Sequence, residues 1–367
     1  MKKSYITFKL LLALFLVTQV LTSYGQQRKT QNVIAVTIDG ARWLEAFKGA
    51  DSVLLNNPEY NKKFAANIKK KFWAPTAEER RMLLMPFLWT EVVQNGRIYG
   101  NRDLGSNVQV KNLYNVSYPG YSEIYTGYPD PEIKSNAAVL NPNPNVLEFI
   151  NKQHGFEGKV ASFISWNAAD FYLNEKRSGF LVNSGYEPME GKLSPMQETL
   201  NHIQNTWPIT VTGSSRPDAI TYHQAKEYMR LNHPRVMTLG FAYTDDHAHA
   251  GEYGLYLEQI HAFDAYLADL WKTVQSDPFY KDKTSILITI DHGRGYGDGW
   301  KSHGPNVEHA NEIWFAVMGP DIKPMGEMKN TSDIYQNQFA QTMAHFLGLD
   351  FKSSKPIGPV ISELTVK

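Results

Sequence analysis

Three carboxylates and a set of histidines carry most of the chemistry this sequence offers. Asp39, Asp245 and Asp291 each follow a short apolar run, and six of the 11 histidines fall between Asp245 and His309. In Thr244-Asp245-Asp246-His247-Ala248-His249, Asp245 and His249 stand four apart. In Ile290-Asp291-His292-Gly293 acid and imidazole are adjacent, and His303 follows twelve residues after Asp291. Carboxylate oxygen with neutral imidazole is the ligand set of catalytic zinc where no thiolate is present. The counts suit two ions: Asp245, His249 and His303 for one, and Asp39, Asp291 and His292 for the other. Two ions about 3.5–4 Å apart clamp the attacking and leaving oxygens of a phosphoryl displacement. Taken singly, each Asp is an ordinary turn residue. The combination is what points to metal.

The stretch Asn115-Val116-Ser117-Tyr118-Pro119-Gly120-Tyr121-Ser122 adds a candidate nucleophile. A Ser before a Pro-Gly turn and a short amphipathic helix places its hydroxyl at a helix N-terminus, where backbone N–H groups favour an anion. A metal-bound Ser is deprotonated and nucleophilic near neutral pH. An isolated Ser-x-Pro-Gly is more often a plain N-cap or turn.

These residues need a scaffold, and the apolar runs supply one. Residues 33–38 (VIAVTI), 159–164 (KVASFI), 236–243 (VMTLGFAY), 285–290 (SILITI) and 313–318 (IWFAVM) are short and unalternating, as buried parallel strands are. Helical segments are expected over 78–94, 122–126, 146–152, 215–231, 255–274 and 336–347. Strands alternating with helices predict an α/β fold, with a mostly parallel central sheet between two helical layers. Open sheets of this kind bind ligands at the carboxyl ends of their strands, where the three acids lie. Residues 51–76 and 171–217 fit the alternation poorly and read as cap insertions or as surface excursions.

Composition narrows the function. The chain has 367 residues, with 37 Lys+Arg against 37 Asp+Glu, which is not the charge footprint of a nucleic-acid binder. Hydrophobic content of 42% is too rich for disorder. Zero Cys excludes disulfides, Cys-ligated zinc and thiol nucleophiles together. Residues 1–25 show a basic start, a short apolar run and small residues at Ser23 and Gly25, the pattern of a secretory signal. The run is too short for a transmembrane helix. Its removal takes three lysines and no acid, so the mature chain, 26–367, is slightly acidic. The expectation is one catalytic domain, periplasmic or secreted, without a membrane span. The oligomeric state is not legible.

As an ordered set, these motifs resemble the alkaline phosphatase superfamily, and most closely its type I phosphodiesterase/nucleotide pyrophosphatase-like branch. The resemblance rests on Ile38-Asp39-Gly40, on Ser117 ten residues before Gly127, on the Asp245–His249 element, and on Asp291-His292-Gly293 with a later His. It implies an alkaline-phosphatase-like three-layer αβα sandwich. It implies that Asp39, Ser117, Asp291 and His292 bind one ion and that Asp245, His249 and His303 bind the other. Both ions are expected to be zinc, with manganese as the alternative. It implies a small-molecule phosphate ester as substrate and attack by Ser117 to form a covalent phospho-enzyme. Asn136, in Lys134-Ser135-Asn136, matches the branch's contact to a phosphoryl oxygen, although its spacing from Gly127 is shorter than the pattern. His309 competes with His303 as last ligand; the Ser-His-Gly setting favours His303. His247 and Asp246 compete less well with His249 and Asp245.

Two rival readings remain. A sulfatase of this superfamily needs a Cys/Ser-x-Pro-x-Arg signature, and here Tyr121 replaces the Arg. A non-catalytic envelope-binding protein on this fold would show a missing ligand or nucleophile, and every expected position is filled. Arg42, Arg294 and Lys301 lie near the motifs but read better as solvated surface cations. Trp43, Phe47, Tyr118, Tyr121, Tyr128 and Trp300 read better as core than as pocket. Monoester and diester substrates are not separated by the sequence.

Overall fold

The computed structural model describes residues 28–62, 64–208 and 213–365. The signal-like segment at 1–25 lies outside the described residues. Among the described residues no helix is long and apolar enough to cross a membrane.

Eleven strands occur among these residues: β1 Asn32–Ile38, β2 Gly96–Tyr99, β3 Val108–Gln109, β4 Val160–Ile164, β5 Leu181–Ser184, β6 Val236–Phe241, β7 Thr284–Thr289, β8 Glu312–Ile313, β9 Phe315–Met318, β10 Gly326–Glu327 and β11 Ile334–Tyr335. Eight form one sheet in the order β10-β2-β9-β7-β1-β6-β4-β5, and β11-β3-β8 form a small second sheet. The run from β7 to β5 is parallel, while β9 is antiparallel to both β7 and β2. Every residue of β1, β4, β6 and β7 is buried, so both faces of the sheet are covered. Burying each Val, Ile or Leu there is worth about 1.5–3 kcal/mol. The expected mostly parallel α/β architecture is the one found.

The sheet order matters for the chemistry. β1 lies between β6 and β7, with Ile38 paired to Phe241 and Thr37 to Thr289. The three acids that follow these strands therefore emerge side by side. Residues separated by most of the chain become neighbours through register alone.

Some boundaries differ from the sequence reading. The helix expected over 78–94 is interrupted: Ala77–Leu84 is α-helical, and Leu88–Val92 is a π-helical turn. Pro86 lies between them and cannot donate a backbone hydrogen bond. Buried Asp264 accepts from the Phe87 and Leu88 N–H groups at 2.7 and 2.9 Å and secures the restart. The apolar run at 236–243 does not stay extended to its end. β6 stops at Phe241, and Tyr243–His249 is a helix. Residues 51–76 contribute the helices Ser52–Asn56 and Ala65–Phe72, and residues 171–217 contribute β5 and the helix Pro195–Thr206.

Candidate metal centre

Ser117 is the first residue of the helix Ser117–Thr126. Pro119 is tolerated in its first turn, where N–H groups have no helical partner. The preceding Val116 gives no side-chain cap, and Asn136 Oδ1 accepts from the Tyr118 N–H at 2.8 Å instead. Gly120 lets this helix lie against the end of β7, because a Cβ there would stand 2.4 Å from the Asp291 carbonyl oxygen. Gly40 is needed for a second reason. Its φ is +56°, and a Cβ would meet Arg294 Nε at 2.8 Å.

The side chains converge as two overlapping groups. Ligand-type atoms of Asp39, Asp291 and His292 lie within 4.8 Å of one another, and so do those of Asp245, His292 and His303. His292 Nε2 lies 3.3 Å from Asp39 Oδ1, 3.3 Å from Asp291 Oδ2 and 3.3 Å from Ser117 Oγ. His249 Nε2 lies 3.3 Å from Asp245 Oδ2 and 3.0 Å from His303 Nε2.

These residues fit cations. Asp39 Oδ1 and Asp291 Oδ2 are buried without a hydrogen-bond partner. The outer nitrogens are committed elsewhere: His292 Nδ1 lies 3.0 Å from the Gly293 carbonyl, and His303 Nδ1 lies 2.9 Å from that of Asn115. Donation by each Nδ1–H leaves each Nε2 as a lone-pair donor toward the centre, the usual arrangement for metal-binding imidazoles. His249 Nε2 stands 3.0 Å from His303 Nε2, close enough for one ring to donate a proton to the other or for both to hold one cation.

The crowding of these groups also shifts their titration. Burial, reinforced by Asp39, pushes the Asp291 carboxyl well above its ordinary range. Burial works to lower His292, but Asp291 and Asp39 outweigh it and raise the imidazole to about 9. Burial first, and then His292 and Arg294, pull His303 down strongly. Burial and His292 lower His249. Asp291 and His292 are shut away from water, while His249 is half exposed at the edge of the group.

Surrounding contacts fix the groups. Gly40 N–H donates to Asp291 Oδ1 at 3.0 Å, tying the ends of β1 and β7. Tyr121 OH donates to Asp39 Oδ2 at 3.3 Å. Thr244 Oγ1 donates to the Asp39 carbonyl. Buried Asp218, raised to about 6 by burial, accepts from Ser165 Oγ and from the Ala242 and Tyr243 N–H groups. It thereby anchors the helix that carries Asp245 and His249. Glu123, raised to about 7 by burial, accepts from the Lys111 and Asn112 N–H groups and holds the loop leading to Asn115 and Ser117.

The competing candidates fall away from the centre. His309 Nδ1 pairs with Glu312 at 3.0 Å, and its ring stacks on Tyr296. His247 Nδ1 pairs with Glu252 at 3.0 Å. Arg42 and Arg294 are not surface cations. Each is 1% exposed; Arg42 pairs with buried Glu45, and Arg294 donates to the Gly40 carbonyl and pairs with Asp245. The Lys301 ammonium lies over the Tyr60 ring, 5.1 Å from its centroid. Trp43, Phe47, Tyr118, Tyr121 and Trp300 are buried, in keeping with core roles, while Tyr128 is half-buried.

A cavity of about 220 Å³ opens onto Ser117, Asp39, Asp245, His249 and His303, and Asn136 lies on its wall. Trp166, Ser214, Ser215 and Asp246 complete that wall. Sequence reasoning missed Trp166, although it follows the strand-like run at 159–164, at a carboxyl end where such folds bind ligands. Ser214 and Ser215 carry no comparable signal.

No family model and no curated protein sequence matches the chain. Solved structures do. A mutant of alkaline phosphatase PafA aligns with a TM-score of 0.56 at 12% identity, over 91% of this chain and 98% of that one. Murine ectonucleotide pyrophosphatase/phosphodiesterase 5, an inactive form in complex with AMP, aligns at 0.53 and 12%, over 91% and 98%. A 2-O GAG sulfatase aligns at 0.54 and 12%, over 91% and 74%.

Proposed function

We propose, from the alkaline-phosphatase-superfamily fold that this chain shares with those structures, that it is an exported, two-metal phosphoric-ester hydrolase whose nucleophile is Ser117. The observation that carries the reading is the Ser117 hydroxyl at a helix N-terminus, 3.3 Å from His292 Nε2 and beside two groups of cation ligands. Asp39, Ser117, Asp291 and His292 would hold one ion, and Asp245, His249 and His303 the other. Bound zinc or manganese would lower the pKa of the Ser117 hydroxyl and neutralise charge on the phosphoryl oxygens.

The chain's own residues then act as follows. Ser117 Oγ forms a bond to phosphorus as the ester P–O bond breaks, and the departing alcohol takes its proton from solvent. Asn136, whose Oδ1 is engaged by Tyr118, donates through its amide nitrogen to a non-bridging oxygen. Water hydrolyses the phosphoserine and restores Ser117. Residues 26–367 form the catalytic domain, and Ser214 and Ser215 wall its cavity.

Acid quench during turnover of an aryl phosphate, followed by peptide mass analysis, is expected to place one phosphoryl group on Ser117. Ser117→Ala is expected to lower turnover by at least about a thousandfold while the metal content stays intact. A variant that keeps near-wild-type turnover would refute the mechanism. Faster hydrolysis of an aryl sulfate than of aryl phosphate mono- and diesters would favour the sulfatase reading instead.

A further inference from the structure

The two carboxylate oxygens of Asp39 have different surroundings. Oδ1 is buried without a hydrogen-bond partner and lies 3.3 Å from His292 Nε2, the same nitrogen that Ser117 Oγ approaches to 3.3 Å. Oδ2 instead accepts from the Tyr121 hydroxyl at 3.3 Å. Tyr121 follows Ser117 by four residues on the helix Ser117–Thr126, so both side chains leave one face of it. The Tyr121 ring is buried and stacked on Tyr172, with centroids 5.0 Å apart and planes 9° from parallel. Trp166 packs against it at a centroid distance of 6.2 Å. This packing leaves the hydroxyl little freedom to turn away from Asp39. A neutral donor also holds a carboxylate oxygen without adding a positive charge that would repel a bound ion. Partners of this kind orient metal-binding carboxylates.

We infer that Tyr121 is a positioning residue: it holds Asp39 to one-oxygen coordination, so that the adjoining place on the ion shared with Asp291 and His292 stays open to Ser117 Oγ. This rests on the metal reading of the same site. A carboxylate released from Tyr121 is free to turn its second oxygen onto the ion. A chelating Asp39 would then occupy the position the nucleophile needs.

The test compares cobalt-loaded wild type with Tyr121→Phe and Tyr172→Phe. The first variant removes the hydroxyl that holds Asp39 and keeps the ring in its stack. The second is the control, because the Tyr172 hydroxyl is also buried but has no hydrogen-bond partner. Visible absorbance of cobalt weakens as its coordination number rises, so the spectrum reports how Asp39 binds without any turnover. Tyr121→Phe is expected to lose visible absorbance, while Tyr172→Phe keeps the wild-type spectrum. With an aryl phosphate, Tyr121→Phe is also expected to lower kcat about tenfold and to leave KM nearly unchanged. Absorbance lost in Tyr121→Phe alone supports the role. An unchanged spectrum in Tyr121→Phe overturns it whatever the rate does, and so does an equal loss in both variants, since packing then explains both. A wild type that takes up no cobalt overturns the metal reading and this role with it. A wild type that binds cobalt and leaves aryl phosphates intact sinks the phosphoester reading alone, and the spectra still decide the role of Tyr121.

Discussion

Asp245 answers to two kinds of partner. One carboxylate oxygen faces His249, and the other is held by Arg294, a guanidinium pulled down to about 9 by burial. Removing the cation leaves a largely enclosed acid without counter-charge, which costs about 3 kcal/mol when nothing else compensates. Arg294→Met is therefore expected to lower the melting temperature sharply in chelated protein and much less with zinc added, because an ion takes over the neutralisation. Thermal unfolding under both conditions decides it, and an equal loss in both would refute the role. Arg294 also shows where sequence reading stops. Its neighbours Asp291, His292 and Gly293 stand out by type and spacing, and the structure brings them together with Asp39, Asp245 and His303. Whether an Arg beside them points to water or into the fold depends on the backbone around Gly40, and no local pattern reports that.

At the scale of elements, the nucleophile helix is both a platform and a tether. Its Glu123 grips the loop at Lys111 and Asn112, and that loop ends in Asn115, whose carbonyl receives His303. The Glu123 carboxyl rises from about 4.5 in the unfolded chain to about 7 in the fold. The native state thus holds its proton to higher pH than the unfolded chain does. This contribution to stability is complete below pH 4.5 and is lost as pH rises toward 7 and beyond, by about 3 kcal/mol in all. Glu123→Gln is expected to flatten that dependence. Denaturant unfolding of both proteins at pH 5 and pH 8 measures it, and parallel slopes would exclude Glu123 as the source. Strands β1, β4, β6, β7 and β9 were legible because their apolar runs lack alternation, whereas β2 and β5, four residues each, offer no such run. The helix Tyr243–His249 was not, since its Tyr243 extends an apolar run and the turn at Ala242 is imposed by Asp218, which caps it from a distant segment.

Across the whole molecule the two ligand groups differ in access. Asp291 and His292 are 0% exposed, whereas the His249 side chain is 48% exposed at the cavity. Two bound ions are therefore expected to leave a chelator-treated protein in two phases, the outer one first. His249→Ala is expected to abolish the fast phase and leave one ion bound. Stopped-flow release with a metal dye tests this, and a single phase carrying both ions would contradict it. The mostly parallel α/β fold was readable from element order, but the cavity was not, because its wall joins Trp166 after β4 to Ser215 across a loop. The placement of β1 between β6 and β7 has one more consequence, for timing. More than half of the chain separates Ile38 from its partner Phe241. A growing chain completes neither ligand group until His292 and His303 have been made. An ion cannot template the early sheet; it can only lock one that has already closed.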